Sequence, residues 1–322
     1  MNETPDIRIA GRRTPLDYLF FLRPVLLPPV WTIAILGANA VPFDVLSSTS
    51  WRTTAFLLQL GLLFGAVYAL NQIYDIESDR QNRKLHFLPE GIITIPAAWR
   101  FTIALNATAL LLAALIARTR PSGGFGYDYL LLTLAIMALG AVYSAGPSPW
   151  KNRPILGLSA NILAHGAIVY LLGVAFTGER LTDNLLAALG YVSAVGGVYL
   201  MTTIADVPGD QQAGKRTVSV LWGARVAAAL AFVLVLATVS LAWVAKDWLL
   251  FGCAVLVTPL YLSATLKPVA RFASRAAKAS VALLSLAAVF VYPSYLLLLA
   301  VGFIGTRLFF HWRFRMTYPT LT

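Results

Sequence analysis

The chain has 322 residues, of which 58% are hydrophobic and 12% are charged, and its mean hydropathy is +0.73. This composition excludes an ordinary soluble domain and indicates a protein that lies in a lipid bilayer. The formal net charge of +11 does not indicate nucleic-acid binding, because the basic residues lie in short groups between apolar runs rather than on one contiguous face. Such groups are typical of topology signals and of contacts with anionic lipid headgroups.

Apolar segments of about 20 residues, the length that crosses a bilayer, follow one another along the whole chain. The last of them, residues 277–311, is ambiguous because Pro293 would either kink one long span or separate two short ones. The sequence therefore predicts an all-α membrane bundle of about nine transmembrane helices, with ten as the alternative, in a single domain over residues 1–322. The predicted spans lie near residues 18–41, 53–74, 97–117, 129–146, 155–176, 184–205, 218–243, 247–266 and 277–311.

The distribution of lysine and arginine predicts how the bundle lies in the membrane, because cytoplasmic loops carry the excess of these residues. Residues 1–14 are polar and carry three arginines, so we expect no cleavable signal peptide and a cytoplasmic N-terminus. Most loop lysines and arginines then face the cytoplasm, as expected for a protein of the cytoplasmic (inner) membrane. Nine spans would leave Arg313 and Arg315 on the opposite side, which argues for ten.

Two short acidic motifs stand at the ends of apolar runs. Asn71, Asp75 and Asp79 are spaced four residues apart, so they share one face of a helix, and Asp206 and Asp210 repeat that spacing. With the N-terminus inside, both motifs face the cytoplasm. Ionisable groups at the membrane boundary are costly and usually functional. Carboxylates held close together raise one another's pKa unless cations lie between them, so the pattern predicts a cation site at the mouth of the bundle.

The chemistry of these side chains favours Mg²⁺, because they offer hard oxygen ligands without a neighbouring histidine or cysteine. Magnesium sites commonly combine carboxylates with phosphate oxygens of a substrate. Adjoining lysines and arginines, Lys215 among them, would hold the remaining phosphate charge. The sequence therefore predicts a diphosphate site, and its position at the mouth of a lipid-embedded bundle predicts a ligand with a hydrophobic tail.

Taken in order along the chain, these motifs resemble a known family. Asn71-x-x-x-Asp75-x-x-x-Asp79 and Asp206-x-x-x-Asp210 look like the paired signatures of the UbiA-type intramembrane prenyltransferases. Three further stretches are similar to segments of that family: Arg23-Pro24, Tyr143-Ser144 with Lys151 and Arg153, and Gly214-Lys215-Arg216-Thr217. The resemblance covers most of the chain, from about Asp17 to Arg225.

The resemblance implies a bundle around a central cavity, in which two Mg²⁺ ions bridge the aspartates and a polyprenyl diphosphate. Asn71, Asp75 and Asp79 would bind one ion, and Asp206 and Asp210 the other. Ionisation of the allylic C–O bond would give a carbocation, stabilised by the ring of Tyr143, that an aromatic or lipid-like acceptor attacks. The residues implied in substrate binding are Arg23, Asn71, Arg83, Ser144, Lys151, Arg153 and Lys215.

The chain departs from the family pattern at several positions. His86-Phe87 stands where Arg-Pro is common, Pro149 where an arginine is usual, Gly146 where a proline is usual, and Gln211 where a basic residue is common. All the expected metal ligands are retained, so the departures affect the identity of the acceptor rather than the ionisation chemistry. Prenyl length and oligomeric state do not follow from the sequence.

Alternatives remain for the reaction and for individual residues. A related membrane terpene cyclase would use the same metals but capture the cation within its own chain. A transporter would require broken helices at the bilayer midplane, whereas these acids lie at span ends. His165 is either a base towards the acceptor or a histidine hydrogen-bonded between helices. Tyr68 and Tyr199 either face the cation or pack between helices.

Overall fold

The computed structural model describes residues 13–39, 51–81, 87–212 and 214–319, and the regular structure within these ranges is helical throughout, which confirms the all-α prediction. Short 3₁₀ turns and one π-helix, Ile162–Ile168, connect or interrupt the α-helices. The α-helices are α1 (Pro15–Phe21), α2 (Pro28–Ala38), α3 (Trp51–Tyr74), α4 (Ile76–Gln81), α5 (Ile95–Arg118), α6 (Tyr127–Ser144), α7 (Pro154–Asn161), α8 (Val169–Thr177), α9 (Leu185–Gln212), α10 (Val218–Ala245), α11 (Trp248–Leu266), α12 (Ala270–Val291) and α13 (Tyr295–Phe314).

The first predicted span is broken. The pair Pro15–Leu26 and Pro28–Ala38 is bent by 60°, a feature that the predicted span near residues 18–41 did not include. Pro24 and Pro28 explain the break, because proline lacks the amide proton needed inside a helix and is instead tolerated in a first turn. The bend places Arg23 at an interruption of the helix rather than within it.

The last predicted span divides into two helices. α12 ends at Val291 and α13 begins at Tyr295, with Pro293 between them, as the ten-span alternative expects. Among the described residues, nine helices are long and apolar enough to cross a membrane, and the bent first pair makes ten if it forms one span. Asp17 in α1 and Arg313 in α13 form an ion pair, with Nε 2.9 Å from Oδ1. The two ends of the bundle thus meet on one side, as an even number of crossings requires.

The two helices that carry the acidic motifs are the most enclosed of the nine candidate spans. Buried residues make up 67% of the apolar window of α3 and 50% of that of Leu181–Gln212, against 22–39% in the other seven. α3 packs against α5 and α6, and α9 packs against α10, α12 and the π-helix. Both motifs therefore begin inside the bundle and leave it at one end.

Candidate active site

The first acidic motif spans a break between helices without losing its register. α3 ends at Tyr74 and α4 begins at Ile76, yet the amide of Asp75 donates to the carbonyl of Asn71 at 3.0 Å and the amide of Asp79 donates to the carbonyl of Asp75 at 2.7 Å. The three motif residues consequently keep one face, as predicted. The side chains of Asn71 and Asp75 also meet directly, with Nδ2 2.9 Å from Oδ2.

The second motif lies on the last turns of α9, which continues through Pro208 to Gln212. Asp206 is exposed and Asp210 is half-buried. The amide of Lys215 donates to the carbonyl of Asp210 at 2.9 Å, which folds the chain back over the end of the helix. The predicted spacing of four residues therefore places both carboxylates on one helical face at the end of α9.

Tyr143 and Lys151 lie where the two motifs converge. The charges of Asp75 and Asp210 both act on the hydroxyl of Tyr143, and those of Asp75, Asp79 and Lys215 act on the ammonium of Lys151. Residues that are far apart in the sequence thus surround one small region at the end of the bundle, as expected for the two halves of one site.

The ammonium of Lys151 makes the strongest contacts in this region. Its Nζ lies 2.7 Å from Oδ1 of Asp75 and 3.1 Å from Oδ1 of Asn71. A 3₁₀ turn, Trp150–Asn152, carries Lys151 inwards, and the side chain is 8% exposed in its ion pair with Asp75. Burial lowers the pKa of Lys151, and the adjacent Asp75 carboxylate opposes that effect. The sequence predicted that Lys151 binds substrate, but not that it contacts the first motif directly.

A largely apolar cavity of about 440 Å³ opens beside the motifs. Its polar wall includes Arg23, Asn71 and Tyr143 near the motifs, while Phe64 and Leu284 are among its apolar residues. Tyr68 and Tyr199 also line it, so these two rings face the cavity in addition to packing between helices. The cavity therefore combines a polar wall beside the carboxylates with space for a hydrocarbon chain.

Arg23 enters this cavity in an uncommon backbone conformation. Its φ is +56°, in the left-handed region that disfavours residues other than glycine. Its Nε is buried without a hydrogen-bond partner among the described residues. Backbone strain together with an unsatisfied buried donor is typical of residues retained for function rather than for stability.

Other predicted substrate residues lie further from the cavity. Ser144 is buried and donates to Oδ1 of Asn71 at 3.3 Å, so it supports the first motif. Arg153 is exposed and donates to Oγ of Ser148 at 2.9 Å. Lys215 is half-buried and lies within electrostatic range of Lys151 without lining the cavity. Arg83 lies outside the described residues, as does His86.

The oxygen ligands fit Mg²⁺ only if a substrate or water completes its coordination. Within the described ranges, no group of three carboxylates, histidines or cysteines is close enough to hold a metal by itself. Magnesium usually takes one or two carboxylates together with waters and phosphate oxygens, so such a group is not required. The contacts of Lys151 demonstrate that oxygens of Asn71 and Asp75 already converge on one cation.

The model of the UbiA prenyltransferase family matches residues 25–286. The chain belongs to this family. Membership accounts for the order of the motifs along the chain and for the helical bundle that carries them.

Individual relatives share less than a third of their aligned residues with this chain. A 2-acyl-4-prenylphloroglucinol 6-prenyltransferase from Humulus lupulus is 28% identical over 64% of this chain and 51% of its own length. A digeranylgeranylglyceryl phosphate synthase from Sulfolobus acidocaldarius is 27% identical over 55% of this chain and 61% of its own. The chain thus spans between half and two thirds of these relatives.

The fold extends to solved structures of the same family. A UbiA homologue from Archaeoglobus fulgidus, bound to GPP and Mg²⁺, superposes with a TM-score of 0.67 over 86% of this chain and 99% of that one, at 21% identity. At this identity the likeness concerns the fold. It confirms the predicted membrane helical bundle as a UbiA fold.

Asn161 is a polar residue of the cavity wall that was not predicted from the sequence. Asn161, at the end of α7, lines the cavity and lies beside the hydroxyl of Tyr143. A signal was present, because Asn161 and His165 are polar residues within the apolar run from 155 to 176 and are four residues apart. Only the structure shows that both face the same cavity as the aspartates.

Proposed function

We propose that this protein is a Mg²⁺-dependent membrane enzyme that transfers a prenyl group from a polyprenyl diphosphate to an aromatic or lipid-like acceptor. The observation that carries this proposal is the convergence of two acidic motifs and Lys151 at one wall of an apolar cavity that Arg23 also enters. The names of the hop and Sulfolobus relatives support a prenyl transfer, and the ligands of the Archaeoglobus structure support the donor and the metal.

The proposed roles follow from where the side chains lie. Asn71, Asp75 and Asp79 would hold one Mg²⁺ ion, and Asp206 and Asp210 a second. When bound, these ions would neutralise the charge that develops on the diphosphate as the allylic C–O bond breaks.

The basic residues would complete the binding of the diphosphate. The guanidinium of Arg23 enters the cavity with an unsatisfied donor, which suits a phosphate oxygen. The ammonium of Lys151 is held between Asn71 and Asp75. It would also interact electrostatically with the diphosphate. Lys215, which lies outside the cavity, would add a second positive charge near the diphosphate.

The cavity walls would receive the hydrocarbon chain and protect the cation. Apolar side chains such as Phe64 and Leu284 exclude water, which would otherwise capture the carbocation. The ring of Tyr143 lies beside the aspartates, where the reacting carbon would form, and its π-face favours positive charge. We further propose that the motifs face the cytoplasm, on the basis of the lysine and arginine distribution.

The experiment that tests this function follows diphosphate release from geranylgeranyl diphosphate by the purified protein in lipid nanodiscs. Phenolic and glycerol-phosphate acceptors are added one at a time, and a parallel series contains EDTA. We expect Mg²⁺-dependent release that requires one acceptor class and gives its prenylated product. Release without acceptor, accompanied by a cyclic hydrocarbon, would instead establish a cyclase, and no release at any prenyl length would overturn the ionisation mechanism.

A further inference from the structure

His165 lies on the wall of the cavity, within the π-helix Ile162–Ile168. π-Helical turns are rare and occur frequently at functional sites. The next residue, Gly166, brings this turn against α9, because a Cβ there would lie 2.8 Å from Cα of Val192. The backbone beside His165 therefore has little freedom to move.

The two ring nitrogens of His165 have different surroundings. Nδ1 is buried and has no hydrogen-bond partner among the described residues, and the backbone of Asn161 lies near the ring. The ring also contacts that of Phe64, with centroids 5.0 Å apart. The tautomer that carries its proton on the enclosed Nδ1 leaves Nε2 with a free lone pair. Nε2 is the nitrogen that the cavity can reach.

Several neighbouring polar groups already have partners inside the protein. The hydroxyl of Tyr68 donates to the carbonyl of Leu26 at 3.2 Å, and that of Thr202 donates to the carbonyl of Tyr199 at 2.7 Å. The hydroxyl of Tyr143 lies beside the side chain of Asn161. Within the described ranges no side chain or amide donates to Nε2 of His165. Among the described residues, Nε2 of His165 is therefore a hydrogen-bond acceptor without a donor in the apolar part of the cavity.

We propose that Nε2 of His165 accepts a hydrogen bond from a hydroxyl of the acceptor substrate and so selects hydroxylated acceptors. A prenyl tail cannot satisfy this nitrogen, since it is a hydrocarbon, and a ligand without a donor would bury an unpaired polar atom. The donor group must come from the second substrate. This inference rests on the proposed prenyl transfer and adds the chemical class of the acceptor, a phenol or an alcohol.

The position of His165 agrees with this role. It lies four residues beyond Asn161, about one helical turn further along the same segment. Asn161 lies beside Tyr143, which in turn lies near Asp75 and Asp210. A hydroxyl at His165 would thus hold the acceptor roughly one turn from Tyr143 and the reacting end of the donor.

Binding measurements test this proposal without turnover. The protein is labelled with ¹⁵N-histidine, of which it has only three residues, and placed in nanodiscs. The probes are 4-hexylphenol and its methyl ether, which differ in the hydrogen-bond donor. We expect the phenol to shift the Nε2 resonance of His165 and the ether to leave it in place. Equal shifts with both probes, or none with saturating phenol, would overturn the proposal.

Substitutions supply the matched comparison. Gln at position 165 places an amide oxygen near the position of Nε2, whereas Phe removes the polar group and keeps a ring. We expect His165→Phe to reduce the preference for phenol over ether about tenfold or more, and His165→Gln to retain most of it. His311→Phe, at an exposed position of α13, is the control and should leave the preference unchanged. A preference that survives in His165→Phe would contradict the assignment.

Turnover separates this inference from the proposed function. If the wild-type protein transfers a prenyl group, His165→Phe should raise the KM for the acceptor much more than the KM for the prenyl diphosphate. If the wild-type protein transfers none, the proposed function fails while the resonance shifts still decide the role of His165. Equal increases in both KM values would mean that His165 only shapes the cavity, which would contradict a specific contact with the acceptor.

Discussion

Two buried ion pairs at the same end of the bundle have opposite characters. Arg313 and Asp17 are 1% and 0% exposed and are joined by two hydrogen bonds, from Nε at 2.9 Å and from Nη2 at 3.1 Å. The second oxygen of Asp17 also accepts from the amide of Thr14 at 2.8 Å. The donors and acceptors of this pair satisfy one another, and it connects the first helix to the last.

The pair of Lys151 and Asp75 is less enclosed and is shared. The side chains are 8% and 11% exposed, and the ammonium divides its contacts between Asp75 and Asn71. The partners lie beside further carboxylates and the cavity rather than in a closed shell. A complete pair holds a fold together, whereas a shared pair at a cavity can rearrange around a ligand. Substitutions at the two pairs should therefore separate stability from activity.

The largest effect should be a loss of stability on breaking the ion pair of Asp17 and Arg313. Arg313→Met leaves the carboxylate of Asp17 buried without its cation, which costs about 3–5 kcal/mol of folding free energy in comparable buried pairs. Thermal unfolding in detergent measures this loss. Arg307→Met, at an exposed position of the same helix, is the matched control.

The double variant Asp17→Leu with Arg313→Met checks the reason for that loss. Removing both charges should recover most of the stability, because the cost lies in the unpaired carboxylate. Activity per folded molecule should stay near the wild-type value in every variant of this pair. An Arg313→Met protein as stable as the wild type would show that the pair does not hold the ends of the bundle together.

The second largest effect should be a slower reaction when the ion pair of Lys151 and Asp75 is changed. Asp75→Asn keeps the shape and a hydrogen-bond acceptor for Lys151 but removes the charge, so we expect diphosphate release to fall about 10²–10³-fold with a small change in unfolding temperature. Glu77→Gln makes the same chemical change two residues away, in an exposed side chain that pairs with Arg80 at 3.1 Å. It should retain nearly full activity. Equal losses in both variants would refute a specific role for Asp75.

The sequence predicted the parts of this site that depend on local spacing. Intervals of four residues placed Asn71, Asp75 and Asp79 on one face, and the helix break after Tyr74 did not disturb them. Which cation meets which carboxylate depends on tertiary packing, so the contact of Lys151 with Asp75 did not follow from the pattern. For the same reason the contact of Arg153, two residues further, with Ser148 did not follow from the pattern.

In the fold, too, features that depend on local sequence were predicted, whereas features that depend on tertiary packing were not. Hydropathy located the spans because apolar length is a local property, and Pro293 marked the division that the structure has. The bend in the first span was missed, although Pro24 and Pro28 were signals for it. The pairing of Asp17 with Arg313 joins residues 296 positions apart, and only packing of the complete bundle brings them together.

A smaller effect is expected where the shared pair competes with the metal. Lys151→Met frees oxygens of Asn71 and Asp75, so Mn²⁺, a spectroscopic substitute for Mg²⁺, should bind the donor-free protein more tightly. The KM for the prenyl diphosphate should rise about tenfold, because one charge facing the phosphates is lost. Electron paramagnetic resonance and steady-state kinetics measure the two quantities.

Arg153→Met removes a charge at the exposed position nearby and serves as the control for the Lys151 variant. It should change neither the affinity for Mn²⁺ nor the KM for the donor by more than about twofold, as expected for a solvent-screened charge. Weaker Mn²⁺ binding in Lys151→Met would mean that the ammonium helps to assemble the metal ligands rather than competing for them.

The smallest effect tests whether Arg23 is retained at a cost to the fold. At its φ of +56° a residue with a Cβ is strained, so Arg23→Gly should be more stable than Arg23→Ala by about 1 kcal/mol. Both variants lose the guanidinium and should raise the KM for the prenyl diphosphate by similar factors, about tenfold or more. Unfolding temperatures report the first difference and kinetics the second. If Ala were as stable as Gly, the left-handed backbone at Arg23 would carry no strain, and its conformation could not be attributed to selection for donor binding.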